Sequence, residues 1–159
     1  MGKSDDKTNV CRVLDQKKVP YKTHVCPDAE GLSGVEIAAK LGQNPAQAFK
    51  TLVTVGKTGK NYVFVVPVDK ELDLKKAAKA VGEKSIEMIK SKELLPLTGY
   101  IHGGCSPVGM KKLFKTVIDE SASSYDKIIF SGGKIGYQIE TTLSELKKAI
   151  SFILGDISE

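Results

Sequence analysis

Residues 99–109 read GYIHGGCSPVG, which sets a cysteine and a serine between a glycine pair and a proline. Two chemistries compete for this stretch. Cys105 is a nucleophile if its thiol pKa is lowered and a base stands beside it. His102 is near in sequence and His24 is the other histidine, but neither spacing fixes a ring against the thiol. A free cysteine also serves as a small buried residue. The glycines offer the second chemistry. Gly103 and Gly104 let the backbone approach a ligand closely or take a positive φ. Pro107 fixes the loop's exit, and successive N–H groups there can face an anion or a carbonyl oxygen. The same residues also make an ordinary tight turn.

Lys50 is the second candidate. It stands in FKTLVTV, residues 49–55, whose alternation puts Phe49, Thr51, Val53 and Val55 on one strand face and Lys50, Leu52 and Thr54 on the other. A strand lysine marks a solvated face. If that face lines a pocket, its ammonium can hold a phosphate or polarise a carbonyl. The third stretch, SGGKIG at 131–136, has neither the GK[ST] of a phosphate-binding loop nor the spaced glycines of a dinucleotide fingerprint, and by itself reads as a hairpin turn.

Other chemistries are disfavoured. Cys11, Cys26 and Cys105 are odd in number, widely spaced and without a CxxC, which argues against a disulfide framework and a structural zinc site. His24 and Cys26 are only two candidate ligands, so no metal and no cofactor is expected. The net charge of +5 favours a polyanionic partner. The basic residues include one arginine, Arg12, so reading of DNA base edges is disfavoured while lysine–phosphate contact stays open. Tryptophan is absent and the aromatics are scattered, with no ladder for stacking bases. MGKSDDKTN lacks the apolar core of a signal peptide, and Gly2 is discounted as a myristoylation site because Asp5 and Asp6 follow it. No apolar run spans a bilayer. No membrane association and a cytoplasmic location are expected.

The elements that must position these residues follow from local signals. Thr8 caps a helix carrying Val10, Val13 and Leu14 that stops before Pro20, and Tyr21–Val25 alternates as a strand. Ser33 and Glu36 form a capping box for a helix closed by Gly42. Residues 49–55 and 62–68 make a hairpin buried on both faces. A helix is expected over 72–81, a short one over 85–90, and strands near 117–119, 127–130 and 137–140. Thr142 caps a last helix whose Leu143, Leu146, Ala149, Ile150 and Ile153 face inward. The sequence, 1–159, reads as one mixed α/β (α+β) domain, with a mostly antiparallel, barrel-like sheet core surrounded by helices.

The stretches KTNVCRVLD, AFKTLV, VVPVDKELDLKKAAKAVGEK, TGYIHGGCSPVGMKK and SGGKIG, in that order, resemble the YbaK/EbsC family of trans-acting aminoacyl-tRNA editing proteins, with its cysteinyl-tRNA(Pro) deacylase branch the best match. The resemblance implies a fold shared with the editing domain of prolyl-tRNA synthetase. It implies as substrate the acceptor end of an aminoacylated tRNA, tRNA(Pro), with prolyl-tRNA synthetase as a transient partner. It makes Lys50 the lysine that contacts the terminal adenosine and Thr51 its neighbour at the pocket edge. Gly103, Gly104, Ser106 and Pro107 become the loop against the aminoacyl ester, and Tyr21, Ser131 and Gln138 pocket residues. Gln138 and His102 depart from the branch, which often has Asp and Arg or an apolar residue there.

The resemblance also implies a mechanism without a protein nucleophile. The substrate's own thiol attacks the ester and leaves as a thiolactone, while the protein supplies proximity and oxyanion stabilisation. Three rivals remain: an editing enzyme for alanine or another small amino acid, which needs water as attacker; a non-catalytic module binding nucleotides or tRNA ends; and a thiol enzyme working through Cys105.

Overall fold

The computed structural model describes residues 7–159; Gly2 lies outside them. Thr8 accepts from the Cys11 N–H and opens α1 (Asn9–Gln16), whose buried Val10, Cys11 and Leu14 face the core. Strand β1 (Lys22–Val25) follows. The Ser33–Glu36 capping box forms as expected and starts α2 (Gly34–Lys40). The predicted hairpin is β2 (Phe49–Gly56) and β3 (Asn61–Pro67), paired from Phe49↔Pro67 to Val55↔Asn61. Asp73 caps α3 (Leu74–Val81), which ends on left-handed Gly82.

Beyond this point the chain departs from its local signals. The helix expected at 85–90 is instead strand β4 (Ile86–Met88), because Ile86 is buried and the segment pairs with Thr54–Gly56 of β2. Helix α4 (Ser91–Thr98) comes next, then β5 (Lys115–Asp119) and a 3-10 turn over Glu120–Ser124. Strand β6 (Ile128–Lys134) runs through most of SGGKIG, with a bulge between Ser131 and Lys134, before β7 (Tyr137–Thr141). The expected last helix shrinks to α5 (Leu143–Leu146). Ile153 is half-exposed in β8 (Ile153–Gly155) rather than inward on a helix, because β5 offers it a free edge.

These strands form no barrel. They make a five-stranded sheet, order β4-β2-β3-β5-β8, and a three-stranded sheet, order β1-β7-β6. Pairing is mostly antiparallel, but β3–β5 and β5–β8 are parallel. A parallel bridge between Ala48 and Ile129, reinforced by Ile129 N–H donating to the Gln47 carbonyl at 3.1 Å, joins the two sheets beside the start of β2. Phe49, Val53, Val63 and Val65 pack with Ile128, Phe130 and Ile139 of the small sheet and with α1. Leu52, Phe64 and Val66 pack on the other side against Ala77 and Ala78 of α3. The hairpin is buried on both faces, as its sequence requires.

Candidate functional site

The GGCSP loop is held from both ends. Tyr100 donates its hydroxyl to the Val108 carbonyl, and Val108 N–H donates to Ser106 Oγ at 3.3 Å. Asn9 of α1 donates to the Gly109 carbonyl at 3.1 Å. Gly103 has φ +88°, a left-handed conformation that favours glycine. At Gly104 a Cβ would lie 3.0 Å from Lys134 Cα and 3.3 Å from Ile135 N. The loop's backbone therefore rests directly on that of the β6–β7 hairpin, and two of the sequence motifs meet.

Cys105 is buried, and burial pushes its thiol up to about 12. At neutral pH such a group stays a thiol rather than a thiolate. His102 is exposed while Cys105, Ser106 and Pro107 are buried. The loop thus holds no paired base and nucleophile.

Lys50 and Thr51 leave opposite faces of β2. Thr51 shares the face of Phe49 and Val53, toward the core that includes Tyr100 and Cys105. Its Oγ1 is sealed from solvent and finds no hydrogen-bond partner among the described residues. Lys50 is on the opposite side, with Nζ 3.6 Å from the exposed Glu71 carboxylate. In the parallel bridge Ala48 faces Ile129, so Lys50 and Ser131, each two residues further on, emerge on the same side.

That side carries a row of polar residues. In the small sheet His24 is opposite Gln138, and Gln138 is opposite Ser131. Gln43, from the segment after α2, exchanges two amide hydrogen bonds with Gln138, at 2.6 and 3.3 Å. His24 Nε2 is 2.6 Å from Glu140 Oε1. Ser131 Oγ accepts from Gly133 N–H at 3.1 Å. Tyr21 does not join this row. Its hydroxyl donates to Asp15 Oδ1 of α1 at 3.0 Å, and burial first, then contacts with Cys11 and Asp15, raise its pKa.

The structure therefore groups Lys50, Ser131 and Gln138 on one side, sets Gly103 and Gly104 against their hairpin, and places Thr51 and Tyr21 elsewhere around it. Sequence reasoning missed Gln43 and Glu140 and weighed His24 as a partner for Cys105 and as a metal ligand, not as a member of this row. For His24 and Glu140 the polar positions at period two in β1 and β7 were the available signal, but the cross-strand register that unites them with Gln138 is not local, and Gln43 comes from a loop with no such signal. Among the described residues no three His, Cys, Asp or Glu side chains converge as metal ligands, and no helix is long and apolar enough to cross a membrane. A surface groove of about 470 Å³, lined by Lys60, Tyr62, Leu113, Phe114 and Lys115 among others, contains none of these candidate residues.

The sequence signature of the aminoacyl-tRNA editing domain matches residues 29–149. EbsC of Enterococcus faecalis (strain ATCC 700802 / V583), whose name carries a proposed Cys-tRNA(Pro)/Cys-tRNA(Cys) deacylase activity, is 50% identical over 139 residues, 87% of this chain and 85% of that one. A crystal structure described as a proposed trans-editing enzyme for prolyl tRNA synthetase superposes with a TM-score of 0.83 at 27% identity, covering 95% of each chain. A hypothetical protein of known crystal structure gives 0.84 at 25% identity, over 96% of this chain and 100% of that one.

Proposed function

Because the chain belongs to the aminoacyl-tRNA editing domain family, we propose that it is a trans-acting deacylase that removes cysteine wrongly esterified to tRNA(Pro). The observation that carries the reading is the loop of Gly103 and Gly104 pressed against the β6–β7 hairpin, beside a cysteine whose buried thiol is protonated. Such a loop offers fixed backbone rather than a reactive side chain. Catalysis then comes from holding the ester and the substrate's thiol together and, for the developing oxyanion, from loop N–H groups other than that of Gly104, which donates to the Ile101 carbonyl at 3.0 Å. The substrate sulfur bonds to the ester carbon, the bond to the ribose oxygen breaks, and the thiol's proton ends on that oxygen. Cysteine leaves as a cyclic thioester.

In this reading Lys50 holds the terminal adenosine's phosphate, supported by its emerging on the same side as Ser131 and by a long ion pair with Glu71 that a phosphate can outcompete. Ser131 and Gln138 contact the aminoacyl group or sugar, Thr51 and Tyr21 stand on the core side rather than in this row, and Ser106 and Pro107 keep the loop in shape. The lysine-rich charge gives weak, salt-sensitive contact with the acceptor end. Choice among tRNAs then falls to a transient complex with prolyl-tRNA synthetase in the cytoplasm.

The test is deacylation of purified cysteinyl-tRNA(Pro) beside alanyl- and seryl-tRNA(Pro). Loss of cysteine alone supports thiol-assisted cleavage. Equal loss of alanine or serine replaces it with attack by water, and no loss from any substrate leaves a binding module.

A further inference from the structure

We propose that His24 and Glu140 form a proton-transfer dyad of the editing site, with His24 as the general base that takes the proton from the attacking thiol. The inference rests on the deacylase reading above and adds to it a group that the loop cannot supply. His24 is on β1, directly across from Gln138, which is itself across from Ser131. Neighbouring strands are about 4.8 Å apart, so the imidazole stands one strand from Gln138 and two from Ser131. All three are half-buried, shielded yet open to a ligand.

The ring is oriented. Its Nε2 is 2.6 Å from Glu140 Oε1. An ionised carboxylate can only accept, so Nε2 carries the hydrogen in this pair and Nδ1 bears the lone pair. Nδ1 has no hydrogen-bond partner among the described residues. Glu140 is the more enclosed member, with a side chain 19% exposed against 33% for His24. A carboxylate that fixes the tautomer and steadies an imidazolium, beside a ring whose second nitrogen is open, is the arrangement a general base needs. Gln138 cannot take this role, since an amide does not titrate and its own amide is occupied by Gln43.

The step balances. The substrate S–H proton moves to Nδ1 as sulfur bonds to the ester carbon. The C–O bond to the ribose then breaks, and the same proton passes from Nδ1 to the departing oxygen, returning His24 to its starting form.

The experiment is single-turnover deacylation of cysteinyl-tRNA(Pro) at saturating enzyme by wild type, His24→Ala and Glu140→Gln, with and without added imidazole, alongside thermal melting and the enzyme concentration giving half-maximal rate. We expect His24→Ala to be slower by about 10²–10⁴-fold, with that half-maximal concentration unchanged and part of the rate restored by imidazole. Glu140→Gln keeps an acceptor for Nε2, so it should fold normally and lose less. Wild-type turnover with His24→Ala within threefold overturns the dyad and leaves the editing reading standing. A slow His24→Ala that imidazole does not restore, with a lowered melting temperature, makes the pair structural and also overturns it. If His24→Ala does not fold, Glu140→Gln decides: a slower rate in a normally melting protein supports the dyad, and a full rate overturns it. Absence of wild-type turnover overturns both readings.

Discussion

Replacing Gly104 by alanine tests the idea that the loop acts through its backbone. Gly104 is not in the left-handed region, so alanine is compatible with its φ and the cost comes from contact alone. The new Cβ would meet Lys134 Cα at 3.0 Å and Ile135 N and Lys134 C at 3.3 Å, all backbone atoms with no flexible side chain to yield. Comfortable carbon–carbon separations are about 3.5–4.0 Å, so loop and hairpin must part by roughly 0.5 Å. Overpacking of this kind costs about 1–3 kcal/mol, or a few degrees of melting temperature for a chain of this length. Misplacing reacting groups by about 1 Å can cost 10²-fold in rate, so we expect about tenfold slower deacylation. Gly59→Ala is the control. Gly59, in the β2–β3 turn, has φ +90° and nothing within 4 Å of an added Cβ. It should lose about 1–2 kcal/mol through left-handed strain and keep full turnover. Gly104→Ala turning over at the wild-type rate, or both variants slowing alike, would show that the loop does not act through its backbone.

Cys105→Ala should retain turnover within a few fold, and iodoacetamide at neutral pH should not inactivate the folded protein by way of this residue, because burial keeps it a thiol; mass spectrometry of the labelled protein checks it. Lys50→Ala should lose most activity with an unchanged melting temperature, whereas Glu71→Gln, which frees the ammonium from its pairing with Glu71, should leave activity equal or higher at low salt. Asp119→Asn addresses acid stability. Burial alone would raise this carboxyl, but hydrogen bonds from Ser121, Ile157 and Ser158 outweigh it and hold it below its usual value. A depressed folded pKa contributes stability that is present above the unfolded value near 4 and lost as pH falls through the folded one. Wild type should therefore lose stability below about pH 4, and Asp119→Asn should flatten that part of the curve in urea titrations.

Much of the first half of the chain was legible because its signals are local. The Ser33–Glu36 capping box and the alternation of residues 49–55 each act within a few residues, and each formed as read. Residues 85–90 failed because a three-residue strand has no periodicity of its own; the edge of β2 decides it. The last helix failed for a similar reason, since Ile153 finds β5, a strand far earlier in the chain. At the site, alternation correctly put Lys50 and Thr51 on opposite faces. What local sequence could not say is that β6 starts beside β2 and β1 pairs with β7, and only those pairings align Lys50, Ser131, Gln138 and His24 on one side.

The pairing of β1 with β7 has a consequence for how the protein is made. Lys22–Val25 leaves the ribosome early, yet its hydrogen-bonding partners are Tyr137–Glu140. At about 5–20 residues per second, the delay between them is on the order of ten seconds. Through that interval β1 is a short unpaired strand, protected from pairing elsewhere by its polar Lys22, Thr23 and His24. The large sheet can begin to assemble from the β2–β3 hairpin meanwhile, but the row that carries His24 and Gln138 closes only once residues 137–140 have been made. A nascent chain stalled before β7 would hold Lys50 on the same side as Ser131 but lack Gln138 and Glu140, leaving His24 without either partner on β7.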